Sequence, residues 1–250
     1  MTGASEPHPI TRQPVGLAVD TTPAQRPGAV TLDGRYGRIE RLAQHHDAAL
    51  WSAVKGHDHI WTYMSYGPLA DLAAFSEWLA GRIKLEDPYS YAIIDRSGRA
   101  VGIATLMEIR PAMRVIEVGN ILYSPSLQRT PLGTEAQFLL ARHAFETLGY
   151  RRYEWKCNAL NAPSRRAALR YGFVFESIMR QHMIVKGRSR DTAYYSMLDC
   201  EWPKRKAAFE RWLAPENFDA DGKQKVSLGE LHGRRLADRS VKAGVAKCIS

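Results

Sequence analysis

The sequence predicts an α/β fold whose central sheet is mixed, mostly antiparallel, and covered by helices on both faces. A strand hairpin is followed by two amphipathic helices, then by a three-stranded meander, and finally by strands that alternate with helices. This order differs from the regular alternation of a doubly wound nucleotide-binding fold, because it puts several antiparallel neighbours beside a crossover helix. No internal repeat is evident in the 250 residues.

The composition is that of one globular domain with an extension at each end. The chain is 45% hydrophobic and 24% charged, which favours a packed core over disorder. Residues 1–28 contain five prolines and few large apolar side chains, so we expect a proline-rich, extended N-terminal arm. Asp, Gly, Lys and Arg dominate residues 214–250, where we expect a basic, loosely held tail. The predicted domain therefore spans residues 29–213.

Charge and cysteine content narrow the classes of protein. The formal net charge of +9 favours anionic ligands, such as phosphorylated cofactors, acidic substrates or nucleic acid. Cys157, Cys200 and Cys248 show no CxxC spacing, so we expect neither a disulfide framework nor a zinc ribbon. The sequence shows no signal-peptide pattern and no apolar run of about 18 residues. We therefore expect a cytoplasmic protein without a membrane segment.

The first half of the predicted domain contains the hairpin, the two helices and the meander. Asp33-Gly34 between two strand-like runs indicates the hairpin turn. Residues 47–54 predict a helix, and apolar residues spaced three and four apart predict a second helix over 72–83. The meander strands are predicted at 89–94, 100–109 and 115–123.

The second half alternates strands and helices before it closes with a strand pair. An amphipathic helix begins near Leu132 and stops near Gly149, a suitable residue just after a helix C-terminus. The remaining elements are a strand at 153–157, a helix at 162–171, and closing strands at 173–185 and 191–198.

The loop that leads into the long helix has the chemistry of a phosphate site. Free amides and the positive end of the helix dipole favour an anion there, and a glycine permits close approach to the backbone. The chain contains neither GxGxxG nor GxxxxGK[ST], so the usual dinucleotide and P-loop sites are not supported. An ordinary strand-to-helix turn explains the same residues equally well. The loop and first helical turn read Gln128, Arg129, Thr130, Pro131, Leu132, Gly133, Thr134 and Glu135.

This loop resembles the acetyl-CoA loop of the GNAT acetyltransferase superfamily, which has the form [QR]-x-x-G-x-[GA] before a helix. Pro131 stands where the family usually has its first glycine, so one amide donor is absent. A second block, Asn161-Ala162-Pro163-Ser164 with a later Gly172-Phe173, resembles the family's N-x-x-S…G-F segment. Residues 188–202 resemble the RimJ/RimL-like branch, which acetylates N-terminal amines of ribosomal proteins. The likeness extends over roughly residues 29–203.

The resemblance implies a GNAT-like fold and an N-acetyltransferase that moves an acetyl group from acetyl-CoA to an amine in a ternary complex, without a metal. The acceptor is either a protein N-terminus or a small-molecule amine. Asn161 also suits simple helix capping. The residues implied to bind acetyl-CoA are Ile121, Leu122, Tyr123, Gln128, Arg129, Thr130, Leu132, Gly133, Thr134, Glu135, Asn161, Ser164 and Arg166.

Glu117 is the predicted general base. Period-two alternation places it with Gly119, Ile121 and Tyr123 on one face of a mainly apolar strand. Partial burial would raise its pKa towards the range useful for accepting a proton from an ammonium group. The structural alternative is an ion pair with an arginine on a neighbouring strand. Ala168 occupies the position at which many superfamily members carry a tyrosine as general acid.

An aromatic segment between the first two helices completes the predicted site. By analogy with the family, Trp61, Tyr63 and Tyr66 line the acceptor pocket. The histidines show no convincing metal-ligand spacing. Two other functions stay open: a catalytically silent acyl-CoA sensor, and a nucleic-acid or ribosome-binding protein. The dispersed basic clusters lack an RNA-binding motif, which argues against nucleic acid. We expect a monomer or a homodimer.

Overall fold

The computed structural model describes residues 5–233, and its strands and α-helices between residues 32 and 198 follow the predicted order. The strands are β1 (Ser5–Pro7), β2 (Pro14–Gly16), β3 (Leu32–Asp33), β4 (Gly37–Arg41), β5 (Tyr89–Asp95), β6 (Ala100–Arg110), β7 (Val115–Tyr123), β8 (Arg152–Asn158), β9 (Val174–Val185) and β10 (Arg188–Leu198). The helices are α1 (Asp47–Val54), α2 (Leu72–Ile83), α3 (Pro131–Arg142), α4 (Ala162–Arg170), α5 (Trp202–Leu213) and α6 (Leu228–Leu231).

Eight strands form one sheet in the order β3-β4-β5-β6-β7-β8-β10-β9. All neighbouring pairs are antiparallel except β7 and β8, which are parallel. A parallel pair needs a crossover connection, and α3 supplies it. The prediction of a mixed, mostly antiparallel sheet is confirmed.

Helices cover both faces of this sheet, as predicted, and each layer encloses an apolar core. Phe138 and Phe209, from α3 and α5, pack on one face. Leu50 and Phe75, from α1 and α2, pack on the other. Removing apolar surface from water contributes about 25 cal/mol per Å², so these two layers supply the main driving force for folding.

In the described residues, no helix has both the length and the apolar character needed to cross a bilayer.

Helix α5 is an element that the sequence analysis did not predict. Its buried residues include Trp202, Phe209 and Trp212. Spacings of seven and three residues put these side chains on one face of a helix, so the periodic signal was present in the sequence.

Strand β7 leaves its partner β8 halfway along its length. The β7–β8 ladder covers only Val115–Val118 of β7. On the other side, residues 103–105 of β6 face residues 119–122 of β7, so β7 carries one extra residue. This bulge contains Asn120, whose φ is 46°. Residues 119–123 therefore have no partner on the β8 side among the described residues.

Because of this bulge, the side chains of β7 do not alternate as predicted. Ile116 faces the core beneath α3 and α5, so its neighbour Glu117 faces the opposite side of the sheet. Beyond the bulge, Ile121 and Tyr123 pack against the same core as Ile116, whereas Leu122 packs beneath α1 and α2. Glu117 therefore does not share a face with Ile121 and Tyr123, because one extra residue reverses the alternation.

Part of the N-terminal arm, predicted over residues 1–28, lies against the domain. Strands β1 and β2 form a small exposed hairpin. Further on, the amide of Ala24 donates to the carbonyl oxygen of Pro111, and the amide of Gln25 donates to that of Leu148. Ala24 itself is buried. These contacts hold the end of the arm on the domain surface.

The segment 214–233 differs from the loosely held tail that the sequence predicts. Within it, the side-chain amide of Asn217 donates to the carbonyl oxygen of Trp212 at 3.1 Å. Leu228 is completely buried in the core beneath α3 and α5. A few apolar residues at suitable positions are enough to anchor this polar segment. The rest of the predicted tail, 234–250, lies outside the described residues.

We expect Leu228→Ala to lower the free energy of unfolding by about 2–5 kcal/mol, because it leaves a cavity in the core. Leu72→Ala, at a leucine that is 41% exposed, is the matched control and should change it by about 0.5 kcal/mol. Urea denaturation of both variants measures the difference. Equal, small effects would show that residues 214–233 are loosely held after all.

Candidate functional site

The loop from β7 to α3 is organised around Thr130, the N-cap of α3. The Thr130 hydroxyl donates to the carbonyl oxygen of Leu127 at 2.7 Å and accepts from the amide of Gly133 at 3.1 Å. A Cβ at Gly133 would lie 2.8 Å from the Leu127 carbonyl oxygen. Glycine is therefore required at position 133 because the Leu127 carbonyl group of the protein itself lies so close.

Few backbone donors of this loop remain for an anion. Pro131 has no amide hydrogen, and Thr130 already accepts from Gly133. The amides of Arg129 and Leu132 donate to no acceptor within residues 5–233. Arg129 is also exposed and adopts the left-handed conformation, with φ of 63°. The anion-binding capacity of the loop therefore lies in these two amides and the Arg129 guanidinium.

Tyr123 ties the end of β7 to the first turn of α3. Its hydroxyl donates to the carbonyl oxygen of Gly133 at 2.9 Å and accepts from the Gln137 side-chain amide at 2.8 Å. Burial raises the pKa of Tyr123 well above its usual value, so it stays protonated. The exposed Gln128 side chain donates to the Tyr123 carbonyl oxygen at 3.1 Å. These bonds fix the loop beside the unpaired part of β7.

Glu135 and Thr134 make contacts inside the fold where the sequence predicts contacts with the cofactor. The Glu135 carboxylate accepts from the amides of Arg35 and Tyr36 at 2.6 and 2.7 Å, which links α3 to the β3–β4 hairpin. Thr134 is 3% exposed and accepts from Arg170. A buried carboxylate is also a poor neighbour for a phosphate. The structure thus gives Glu135 a structural role.

The start of α4 holds the second predicted cofactor block. Asn161 caps the helix, because its side-chain oxygen accepts from the amide of Ser164 at 3.1 Å, so the capping alternative is confirmed. The Ser164 hydroxyl accepts from the Trp155 indole at 3.1 Å. Arg166 is exposed. Of the three predicted residues, Arg166 alone keeps its side chain at the surface.

Glu117 is a buried carboxylate beside a single lysine. It is 4% exposed, and Lys156 Nζ on β8 lies 2.8 Å from its Oε2. Burial raises the pKa of Glu117 to about 7, although the Lys156 cation opposes that rise. Lys156 also lies 5.0 Å from the centroid of the Tyr194 ring. The alternative of an interstrand ion pair is thus present, with lysine in place of arginine.

The other acid near Lys156 already has its own cations. Glu154 Oε2 accepts from Arg110 at 2.6 Å, and its Oε1 accepts from Arg152 at 2.7 Å. Lys156 Nζ lies farther from Glu154, at 3.7 Å. Lys156 therefore acts mainly on Glu117.

Trp61, Tyr63 and Tyr66, the aromatic residues predicted to line the acceptor pocket, differ in burial and contacts. Trp61 is 2% exposed and packs in the core beneath α1 and α2, so its ring does not line an open pocket. Its carbonyl oxygen accepts from Lys186, in the β9–β10 turn, at 2.9 Å. The Tyr63 hydroxyl donates to the Leu160 carbonyl oxygen at 3.2 Å. Burial raises the pKa of Tyr66 to about 12.

Glu40, His45 and His46 form one possible metal-ligand cluster among the described residues. The His46 Nδ1 accepts from the Ala43 amide at 3.0 Å. Its Nε2 must then carry the ring proton of the neutral imidazole, and it donates to Glu40 Oε1 at 2.9 Å. Because a metal needs the lone pair of that nitrogen, the cluster suits a hydrogen bond better than a metal site.

The sheet with one opening parallel pair, and a helix N-terminus beside that opening, define a GNAT-type α/β fold. The family model of the acetyltransferase (GNAT) domain matches residues 38–174. The chain belongs to the GNAT acetyltransferase family, as the loop and the second block predict.

Solved structures support this assignment. A GCN5-related N-acetyltransferase from Brucella melitensis is 48% identical over 85% of this chain and 98% of its own, with a TM-score of 0.83. A probable GNAT acetyltransferase from Chromobacterium violaceum ATCC 12472 is 40% identical over 78% of this chain and 99% of its own, with a TM-score of 0.71.

A more distant structure shares the fold alone. It is the Salmonella typhimurium acetyltransferase that modifies the N-terminal serine of 50S ribosomal subunit protein L7/L12. It is 19% identical over 68% of this chain and 99% of its own, with a TM-score of 0.59. Curated protein sequences give no significant match.

We expect Lys156→Met to raise the pKa of Glu117 further above 7, because burial then acts without the opposing cation. Titration of the Glu117 carboxyl carbon by NMR measures this pKa directly. Lys206→Met, which removes a lysine paired with Glu146 instead, should leave it unchanged. An unchanged Glu117 pKa in Lys156→Met would show that the lysine does not set it.

Proposed function

We propose that this protein transfers the acetyl group of acetyl-CoA to an amine, with Glu117 as the general base. The observation that carries the proposal is the position of Glu117. This carboxylate, with a pKa of about 7, lies at the point where β7 separates from β8. A buried base with a pKa near neutrality is suited to accept a proton from an ammonium group.

The residues around the opening fit acetyl-CoA. The unpaired edge of β7, at Ile121, Leu122 and Tyr123, offers backbone groups to an extended pantetheine arm, as a neighbouring strand would. The Arg129 side chain, with the amides of Arg129 and Leu132, suits the pyrophosphate. The Gln128 side chain, next to Arg129 in the sequence, is also exposed. When bound, acetyl-CoA supplies the activated acyl group as a thioester.

The reaction balances with one base. Glu117 takes a proton from the acceptor ammonium, which frees the nitrogen lone pair to attack the thioester carbonyl carbon. A carbon–nitrogen bond forms, the carbon–sulfur bond breaks, and the leaving thiolate takes up the second proton, which the nitrogen loses as it becomes an amide. Glu117 then releases its proton to solvent. Lys156 keeps Glu117 able to ionise near neutral pH, because its cation offsets part of the effect of burial.

The basic clusters give little support to the nucleic-acid alternative. Arg165 donates to the Tyr195 hydroxyl and to the Ala159 carbonyl oxygen. Lys206 pairs with Glu146. Side chains committed to such contacts add little to a phosphate-binding surface. We therefore keep acetyl transfer as the proposed function, with a small-molecule amine or a protein N-terminus as the acceptor.

We expect Glu117→Gln to lower kcat by about 10²–10⁴-fold without changing acetyl-CoA affinity. In the unchanged protein, kcat/KM should rise with pH through about 7, because only the ionised carboxylate accepts a proton. The variant should lack this rise. Steady-state rates across pH, with exposed Glu210→Gln as control, measure both effects. Cofactor binding without turnover of any amine by the unchanged protein would favour the silent sensor.

We expect Arg129→Gln to weaken acetyl-CoA binding about tenfold or more, because a cation is lost beside the pyrophosphate. Isothermal calorimetry measures the dissociation constant. Arg211→Gln, at an exposed arginine of α5, is the matched control and should bind like the unchanged protein. Equal affinities in all three proteins would show that the Arg129 side chain does not contribute to acetyl-CoA binding.

A further inference from the structure

The bulge in β7 begins at a carbonyl group that is held by a buried side chain of β6. Thr105 is 1% exposed, and its hydroxyl donates to the Gly119 carbonyl oxygen at 2.9 Å. The two residues are direct neighbours in the β6–β7 register, and theirs is the last pair before the extra residue of β7. The Gly119 carbonyl group therefore points towards β6 where the bulge begins.

The direction of this carbonyl group determines the direction of the next amide. The peptide bond between Gly119 and Asn120 is trans. In a trans peptide, the C=O of one residue and the N–H of the next residue point to opposite sides. The Asn120 N–H therefore points away from β6, to the side on which the pairing of β7 with β8 has already ended. This amide is a backbone donor directed into the opening between the two strands.

Asn120 and Gly119 are suited to this backbone conformation. Asn120 has a φ of 46°, in the left-handed region that asparagine and glycine tolerate better than other residues. Its side-chain amide donates to Met107 Sδ on β6 at 3.6 Å. A Cβ at Gly119 would overlap the same sulfur atom, so glycine is required there. Contacts with β6 therefore hold the peptide group between residues 119 and 120 in an uncommon conformation, as is typical of functional sites.

The Asn120 amide lies between two parts of the candidate site. On one side, a Cβ at Gly119 would lie 3.3 Å from Glu117 Oε1. On the other side, Ile121 begins the edge of β7 proposed to face the pantetheine arm. In acetyl transfer, negative charge develops on the thioester oxygen, and a donor that is already oriented stabilises this charge without reorganisation. The orientation of the Asn120 N–H therefore bears on the rate of the reaction.

We propose that Thr105 is a positioning residue for acetyl transfer, because its hydroxyl holds the Gly119 carbonyl group and so keeps the Asn120 N–H directed into the opening. The inference rests on the proposed function and deepens it by naming a residue that orients a donor of the same site. Without the hydroxyl, the peptide group is held less firmly. The loss falls on kcat more than on acetyl-CoA affinity, because the charge on the oxygen develops only in the transition state.

The first test removes the hydroxyl and retains the shape of the side chain. Thr105→Val should lower kcat about three- to tenfold, the effect of one hydrogen bond, and leave the dissociation constant of acetyl-CoA unchanged in calorimetry. Thr105→Ser keeps the hydroxyl and should keep kcat close to that of the unchanged protein. Thr192→Val removes the hydroxyl of another buried strand threonine, which is bonded to His182, and is the matched control. It should also keep kcat.

The second test observes the bound thioester without turnover. Isotope-edited infrared spectroscopy of acetyl-CoA labelled with ¹³C at the acetyl carbonyl measures the C=O stretching frequency on the protein when no amine is present. A hydrogen bond to the oxygen lowers this frequency. The frequency should be lowered in the unchanged protein and in Thr105→Ser, and it should return towards that of free acetyl-CoA in Thr105→Val. Equal frequencies in Thr105→Val and the unchanged protein would overturn the proposal.

The controls separate positioning from stability and from the base. Urea denaturation shows whether Thr105→Val and Thr192→Val are destabilised alike; an equal loss of kcat in both would make the effect structural and overturn the proposal. The rise of kcat/KM through about pH 7 belongs to Glu117, so Thr105→Val should retain it. If Glu117→Gln shows the base assignment to be wrong, the infrared frequency still tests Thr105.

The outcomes for the two proposals differ. If Thr105→Val acetylates amines as fast as the unchanged protein, the role of Thr105 is wrong and the proposed function stands. If the unchanged protein does not bind acetyl-CoA, both proposals are wrong. A lower kcat together with the return of the infrared frequency in Thr105→Val, and neither change in Thr192→Val, is the result expected.

Discussion

The early end of the β7–β8 ladder is the constraint on which the candidate site depends. Parallel pairing stops at Val118, and a bulge at Asn120 follows directly in β7. Backbone groups that would satisfy a neighbouring strand are thereby left for an extended ligand. The crossover helix α3 must begin just beyond this point, because it connects the same two strands. The opening, the N-terminus of α3 and Glu117 therefore lie close to the point where the two strands stop pairing.

The charges around Glu117 follow from the same geometry. Every second side chain of β8 points to the side of the sheet that Glu117 faces, and there Glu154 forms ion pairs with two arginines. Lys156 is left to act on Glu117, across the strands that are about to separate. Burial and the cation act in opposite directions on the Glu117 pKa, and burial prevails, with a value of about 7. Arg82, on the same side of the sheet, lies over the Tyr66 ring, 4.4 Å from its centroid.

Much of the fold could be predicted because its signals are local. Apolar spacing predicts α1 and α2, and Asp33-Gly34 predicts the first hairpin. The cap at Asn161 is evident before any tertiary contact is known. The loop at 128–133 and the second block also predict the family. Each motif consists of a few residues close together in the sequence, so it can be recognised without knowledge of the fold. Helix α5 carries an equally local signal in the spacing of its buried aromatic residues.

By itself, then, the sequence determined the order of the elements, the family and the loop that leads into α3, since each depends on residues close together in the chain. Tertiary structure decided what the individual side chains touch. Glu117 changed its face relative to Ile121 because of a bulge that no periodicity shows, and it gained a lysine partner from another strand. Glu135 and Trp61 likewise contact residues that are distant in the sequence. Register, burial and charge pairing depend on residues distant in sequence, so only the folded chain specifies them.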